Sequence, residues 1–319
     1  MQSISRIFRA ASSLFCVAAL AACTNLAAVR DFTKQSSDLA GYTDTTSFMV
    51  SNPHRLLREA PASGDFSPAR DNLKAAVDER ARHQDSIVRI HDVVAGYMGA
   101  LAGLAGDKAF SVSSGISKVQ GALTASDTFG IKKEAVDAYA GIASKVADWI
   151  AEAIQEREVK AMVGKYGDSM DVMLGSLVDV SNAMVRILQE DQKKMVSFNE
   201  YYEGGFRRDL GPEQPPPANL GADERRRYED QMNTARLRRE AERVVVMRSN
   251  AASAEEQQKA VASAKAAAAG AMSVQAGHAE MRKNIDRLTN EQTSARLQQL
   301  AADIHAVLGN LKKLQEATS

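Results

Sequence analysis

The chain has 319 residues, with 40 Lys and Arg against 40 Asp and Glu, so its formal net charge is zero at pH 7. A balanced chain of this kind gives no electrostatic reason to expect nucleic acid or an anionic lipid surface as a partner. Its seven prolines stand at 53, 61, 68, 212, 215, 216 and 217, leaving 69–211 and 218–319 free of proline. Those stretches are rich in Ala, Glu, Gln, Lys, Arg and Met, all strong helix formers, so composition and the absence of breakers predict a nearly all-α protein.

The N-terminus opens with Arg6 and Arg9, followed by an apolar run over 10–19 that is interrupted by Ser12 and Ser13. The run is too short to cross a bilayer as a helix, which takes about 20 apolar residues. It ends in Leu20-Ala21-Ala22-Cys23. This resembles the lipobox of a bacterial lipoprotein signal peptide. The resemblance implies that residues 1–22 are cleaved, that Cys23 becomes the first residue, and that acyl chains are added to its thiol and amine. Thr24, in the sorting position where Asp would favour inner-membrane retention, implies the periplasmic face of the outer membrane. Cys16 would leave with the leader and Cys23 would be acylated, so the mature chain would hold no thiol for a disulfide, a cluster or a nucleophile.

Residues 24–60 read as one helix or a pair, with a Ser/Thr-rich middle over 41–47. A turn follows over 61–67, and Ser67-Pro68 is a helix start: a capping hydroxyl, then proline in the first turn. The next helix carries Leu73, Ala76, Arg80, His83, Ile87, Ile90, Val94, Tyr97, Leu101 and Leu104 at 3-4 spacing, with Arg80 and His83 interrupting the stripe. Such spacing places one row along a helix against its neighbours. Gly99 and Gly103 form a small-xxx-small pair suited to close backbone approach, and Gly106-Asp107 is the expected end. Residues 110–123 are a weaker helix, diluted by Ser and Gly.

Ser126-Asp127 precede a helix from about Lys132, with Ala135, Tyr139, Ile142, Val146, Trp149 and Ala153 on one face. Gly164 and Gly167 are expected to kink or interrupt it. The strongest periodicity follows in Val163, Tyr166, Met170, Met173, Leu177, Val180, Met184 and Ile187, which fits a coiled-coil-like seam. Residues 204–221 hold glycines and prolines, including Pro215-Pro216-Pro217, and read as a stiff connector. Beyond it, 223–248 is charged throughout, 251–270 is Ala-rich, and Leu297, Leu300, Ile304, Val307, Leu311 and Leu314 mark a final amphipathic helix. The predicted fold is all-α: an elongated antiparallel helical bundle over 23–203, the connector over 204–221, and helices over 222–319 packing on the same bundle.

No metal-ligand, phosphate-loop or nucleophile motif occurs in the chain, so neither catalysis, a cofactor nor a metal is expected. His83 and His91 lie two turns apart, too far to share a metal unaided, and read as surface or half-buried histidines. His278 and His305 suggest no site. The arginines at 225–227, 236, 238, 239, 243 and 248 are interleaved with acids, which reads as a solvated helix with i,i+4 ion pairs. Met162, Met170, Met173, Met184 and Met195 read as core packing. The expected function is that of a lipid-anchored envelope protein with a structural or tethering role toward another envelope protein. Oligomerisation through an exposed heptad seam and a monomer that buries its own stripes fit the sequence equally well. The competing expectation is a helical pore-forming or membrane-remodelling protein that uses the Gly/Ala-rich stretch over 93–123.

Overall fold

A computed structural model describes residues 26–62, 65–106, 121–151, 159–209 and 215–316. Cys23 and its lipobox, most of the weak helix expected over 110–123, and Ala153 fall outside the described residues, as does the side chain of Trp149. Residues 26–40 form α1. It is followed by α2 (Asp44–Glu59), α3 (Ser67–Leu104), α4 (Lys133–Ala151), α5 (Val159–Asp209), α6 (Ala222–Lys283) and α7 (Glu291–Glu316). The fold is an all-α helical bundle, and no strand occurs among the described residues. The nearest approach to one is the isolated bridge Ser126↔Ile131.

The described residues fall into two compact units. One lies within Met1–Val50, Glu79–Arg186 and Ala262–Ser319, and the other within Ser51–Asp78 and Ile187–Val261. In the first, the predicted stripes are the core. Ile87, Ile90, Val94, Tyr97 and Leu101 of α3 are buried, as are Met170, Met173, Leu177, Val180 and Met184 of α5. Leu297, Leu300, Ile304 and Leu311 of α7 are buried with them. All of residues 90–102 in α3 are enclosed, the expected state of a helix that is apolar all round. The second unit has its own small core of Leu56, Ala60, Leu73, Met195 and Phe198.

Helix ends follow local chemistry. The chain pauses at 41–43 between α1 and α2, resolving the first segment as a pair. α3 starts at Ser67 and ends at Leu104, with Gly106 beyond it at φ 102°, a left-handed stop that glycine adopts without strain. α7 is capped by Asn290, whose Oδ1 accepts the Gln292 N–H at 2.9 Å. At the start of α6, Glu224 accepts the Gly221 N–H at 3.1 Å.

Two boundaries differ from the sequence reading. α5 is unbroken from Val159 to Asp209, 51 residues or about 77 Å, so Gly164 and Gly167 do not interrupt it. A Cβ at Gly167 would meet the Arg282 side chain, so that glycine makes room for a guanidinium. At its far end the same helix runs through Gly204 and Gly205, into the stretch expected as connector. The charged and Ala-rich segments that follow the prolines are one continuous helix, the 62-residue α6.

Polar side chains of α3 satisfy carbonyls of the helices before it. Arg80, a break in the apolar stripe, is buried and donates from Nη1 to the Met49 carbonyl at 2.9 Å. That carbonyl lies four residues before Pro53, which has no N–H to give it. Arg70 Nη1 donates to the Ala60 carbonyl at 2.9 Å, just past the end of α2. His91 Nδ1 meets the Ala40 carbonyl, the last of α1, at 2.7 Å. His91 is therefore fully buried rather than at the surface, because a helix end needs it there. His83 is half-buried, its ring 5.5 Å from that of Phe129.

Candidate functional site

The chemistry-bearing side chains gather in two networks, one in each unit. In the first, α3, α5 and α6 each contribute. Tyr97 Oη lies 3.1 Å from His278 Nε2, and His278 Nδ1 lies 2.7 Å from Asp171 Oδ1. Arg282, one turn beyond His278, binds both Asp171 and Asp168. Asp171 accepts the Nδ1 proton, and Nε2 is the ring nitrogen that faces the Tyr97 hydroxyl. His278 thus has two partners where the sequence suggested no site for it. His305, by contrast, meets only Gln35 on an exposed surface, at 3.3 Å.

Electrostatics act on the two ends of this chain of bonds. Burial raises the Tyr97 phenol far above its ordinary range, and nearby Asp171 adds to the effect, so the hydroxyl stays a donor. Burial also pushes the Asp171 carboxyl up, but hydrogen bonds and charge from His278 and Arg282 outweigh it and hold the carboxyl below its usual range. The order Tyr–His–Asp is that of a proton relay, yet the Tyr97 side chain and the whole of His278 are sealed from solvent. The network works as a clasp between helices.

A carboxyl lowered on folding stabilises the fold at pH values above its unfolded value of about 3.9, and that contribution disappears as pH falls through the lower folded value. The melting temperature of the wild-type chain should therefore drop from pH 5 to pH 3 more steeply than that of Asp171→Asn. Calorimetry across that range checks it, and equal slopes would remove Asp171 from the clasp.

The second network joins α2, α5 and α6. Asp191 is fully buried, and its Oδ2 accepts from Asn52 Nδ2 at 2.7 Å. Asn52 Oδ1 in turn accepts from Arg55 at 2.7 Å. The Arg55 guanidinium fans out to Gln257 Oε1 at 2.8 Å, Glu256 Oε2 at 2.8 Å and the Ser253 carbonyl at 3.1 Å. Gln257 closes the circuit by donating to the Leu188 carbonyl at 2.8 Å. The planar fork of arginine suits this task, since its N–H groups point to several acceptors at fixed angles.

Neither network was identified from sequence, although a signal was present. Asp191 follows Met184 and Leu188 and precedes Met195 and Phe198 at 4-3 spacing, so a carboxylate occupies a seam position. Gln257 precedes Val261 and Ala264 in the same way, and His278 follows Ala271 and Val274. Polar residues in buried register require partners, and the partners lie on other helices.

The five methionines of the stripe are buried in the cores. The Arg-rich segment of α6 carries in-helix ion pairs, Arg226 with Asp223 at 2.9 Å and Arg238 with Glu242 at 3.2 Å. α3 contains an 18-residue window apolar enough to cross a membrane by length and composition, and 78% of that window is buried inside the bundle. No group of three metal-ligating side chains occurs among the described residues. Comparison with protein-family models, with curated proteins and with solved structures finds no match to this chain.

Proposed function

We propose that this chain is a lipid-anchored protein of the bacterial envelope, and that its helical bundle serves a structural or tethering role toward another envelope component. The observation that carries the reading is Leu20-Ala21-Ala22-Cys23 at the end of a short apolar run behind Arg6 and Arg9. Each buried methylene contributes about 0.8 kcal/mol, so two or three acyl chains on Cys23 amount to stable anchoring. The tethering role is supported by what the polar interior does: Arg55, Asp191, Asp171 and His278 hold helices to one another. A bundle braced in this way offers a partner rigid helical faces. Thr24 supports the outer membrane as the destination.

The decisive variant is Cys23→Ser. The wild-type N-terminal peptide should carry acyl mass and sediment with membranes, and the variant should lose both properties. A variant that is still processed normally and still sediments with membranes would overturn the anchor and, with it, the role.

A further inference from the structure

The first half of α6 presents a face that nothing in the described chain covers. Asp230, Thr234, Leu237, Ala241, Val244 and Arg248 follow one another at 4-3-4-3-4 spacing, so they form one line along the helix, and all six are exposed. Leu237 is 71% exposed and Val244 42%, and Val245 beside them is 67% exposed. The opposite side of the same helix is the one turned inward, with Tyr228, Ala235, Arg239 and Val246 partly buried. α6 therefore has two rows here, one used by its own chain and one unused.

The unused row is its own complement. It runs from an acid at Asp230, through an apolar middle, to a base at Arg248. Lay a second α6 against it antiparallel, with the two helices crossing at the level of Arg239. Leu237 then faces Ala241 of the second copy, Thr234 faces Val244, and Asp230 faces Arg248. Each layer occurs twice by symmetry, in the a-to-d′ order of antiparallel coiled coils. A parallel pair would instead set Asp230 against Asp230 and Arg248 against Arg248. Arg238 and Glu242 border one side of the row, and Arg236 and Glu240 the other. In the antiparallel pair Arg238 lies near both Arg238 and Glu242 of the second copy, and Glu240 near both Glu240 and Arg236, so the flanks are mixed and the two charged ends set the orientation. A partner bearing a single sign of charge would be repelled at one end of this row, whereas a second copy is attracted at both.

We propose that this face of α6 is a self-association surface, on which two copies of the chain pair antiparallel through Leu237, Ala241 and Val244. The seam is about 28 Å long at 1.5 Å per residue, with a single leucine from each copy, so the pairing is expected in the micromolar range. It does not depend on lipid at Cys23.

The test uses the full chain in mild detergent. Sedimentation over about 1–100 μM should show a monomer–dimer equilibrium. Leu237→Asp should raise the dissociation constant by about tenfold or more, at unchanged helicity since the site is exposed. Asp230→Arg should weaken pairing, and Asp230→Arg combined with Arg248→Asp should restore most of it. Orientation is read separately. An equal mixture of Leu237→Cys chains and Ala241→Cys chains, both carrying Cys16→Ser and Cys23→Ser, should oxidise to a covalent dimer joined between positions 237 and 241. A chain that stays monomeric at about 100 μM, a dimer indifferent to Leu237→Asp, or links only between identical positions would each overturn the proposal. The first two results would instead leave the face to a different protein or to lipid.

Discussion

Gly277→Ala is expected to destabilise the bundle by about 3 kcal/mol, the upper end of what overpacking a core ordinarily costs. A Cβ at this position would fall inside the Phe32 ring, well within van der Waals contact. Phe32 is fully buried in α1, so its ring is enclosed by the core. Gly270 stands seven residues earlier on α6, and Leu39 seven residues later on α1, and these two make the same close approach. The two helices thus run antiparallel with glycine set against a large side chain at both levels. Gly270→Ala should cost less, because a leucine can rotate away where a ring cannot. Urea unfolding of the two variants checks the order. Gly141→Ala serves as the control, since a Cβ there meets nothing within 4 Å, and it should stabilise by about 0.5–1 kcal/mol. If Gly277→Ala unfolds at the wild-type urea concentration, the helix contact is wrong. Phe32→Leu in the Gly277→Ala background should recover part of the loss.

Arg55→Ala should cost about 3–5 kcal/mol, the range for removing one member of a buried charged network. Its guanidinium is the hub of the second network, with a side chain only 14% exposed. Removing it strands the Asn52 and Gln257 amide oxygens, and the Glu256 carboxylate loses its cation. Buried acceptors left without donors carry their full desolvation penalty. Arg55→Lys is the informative companion. An ammonium keeps the charge but cannot reach acceptors on two helices at once, so most of the loss should remain. Equal stability of Arg55→Lys and wild type, in thermal or urea unfolding, would show that charge alone holds this site.

These two predictions mark where the sequence could and could not be read. Helix positions and buried faces were legible, because 3-4 spacing in Ile87–Leu101, Met170–Met184 and Leu297–Leu311 reports burial directly. Helix pairing was not. That Gly277 faces Phe32 depends on which helices are neighbours and at what register, and a single stripe carries neither fact. Continuity was misread at Gly164 and Gly167, because an exposed or cation-covered glycine costs a long helix only about 1 kcal/mol, which packing on both sides of it offsets. The networks were half legible: Asp191, Gln257 and His278 stand out of place in apolar registers, but their partners at Asn52, Arg55 and Tyr97 lie more than a hundred residues away.

α1 is already helical at residue 26, and by Ala28 and Val29 it is inside the core. Three peptide steps separate residue 26 from Cys23, a reach of no more than about 11 Å even at full stretch. A lipid on Cys23 would therefore hold the bundle on a very short leash, with its first turn against the headgroups.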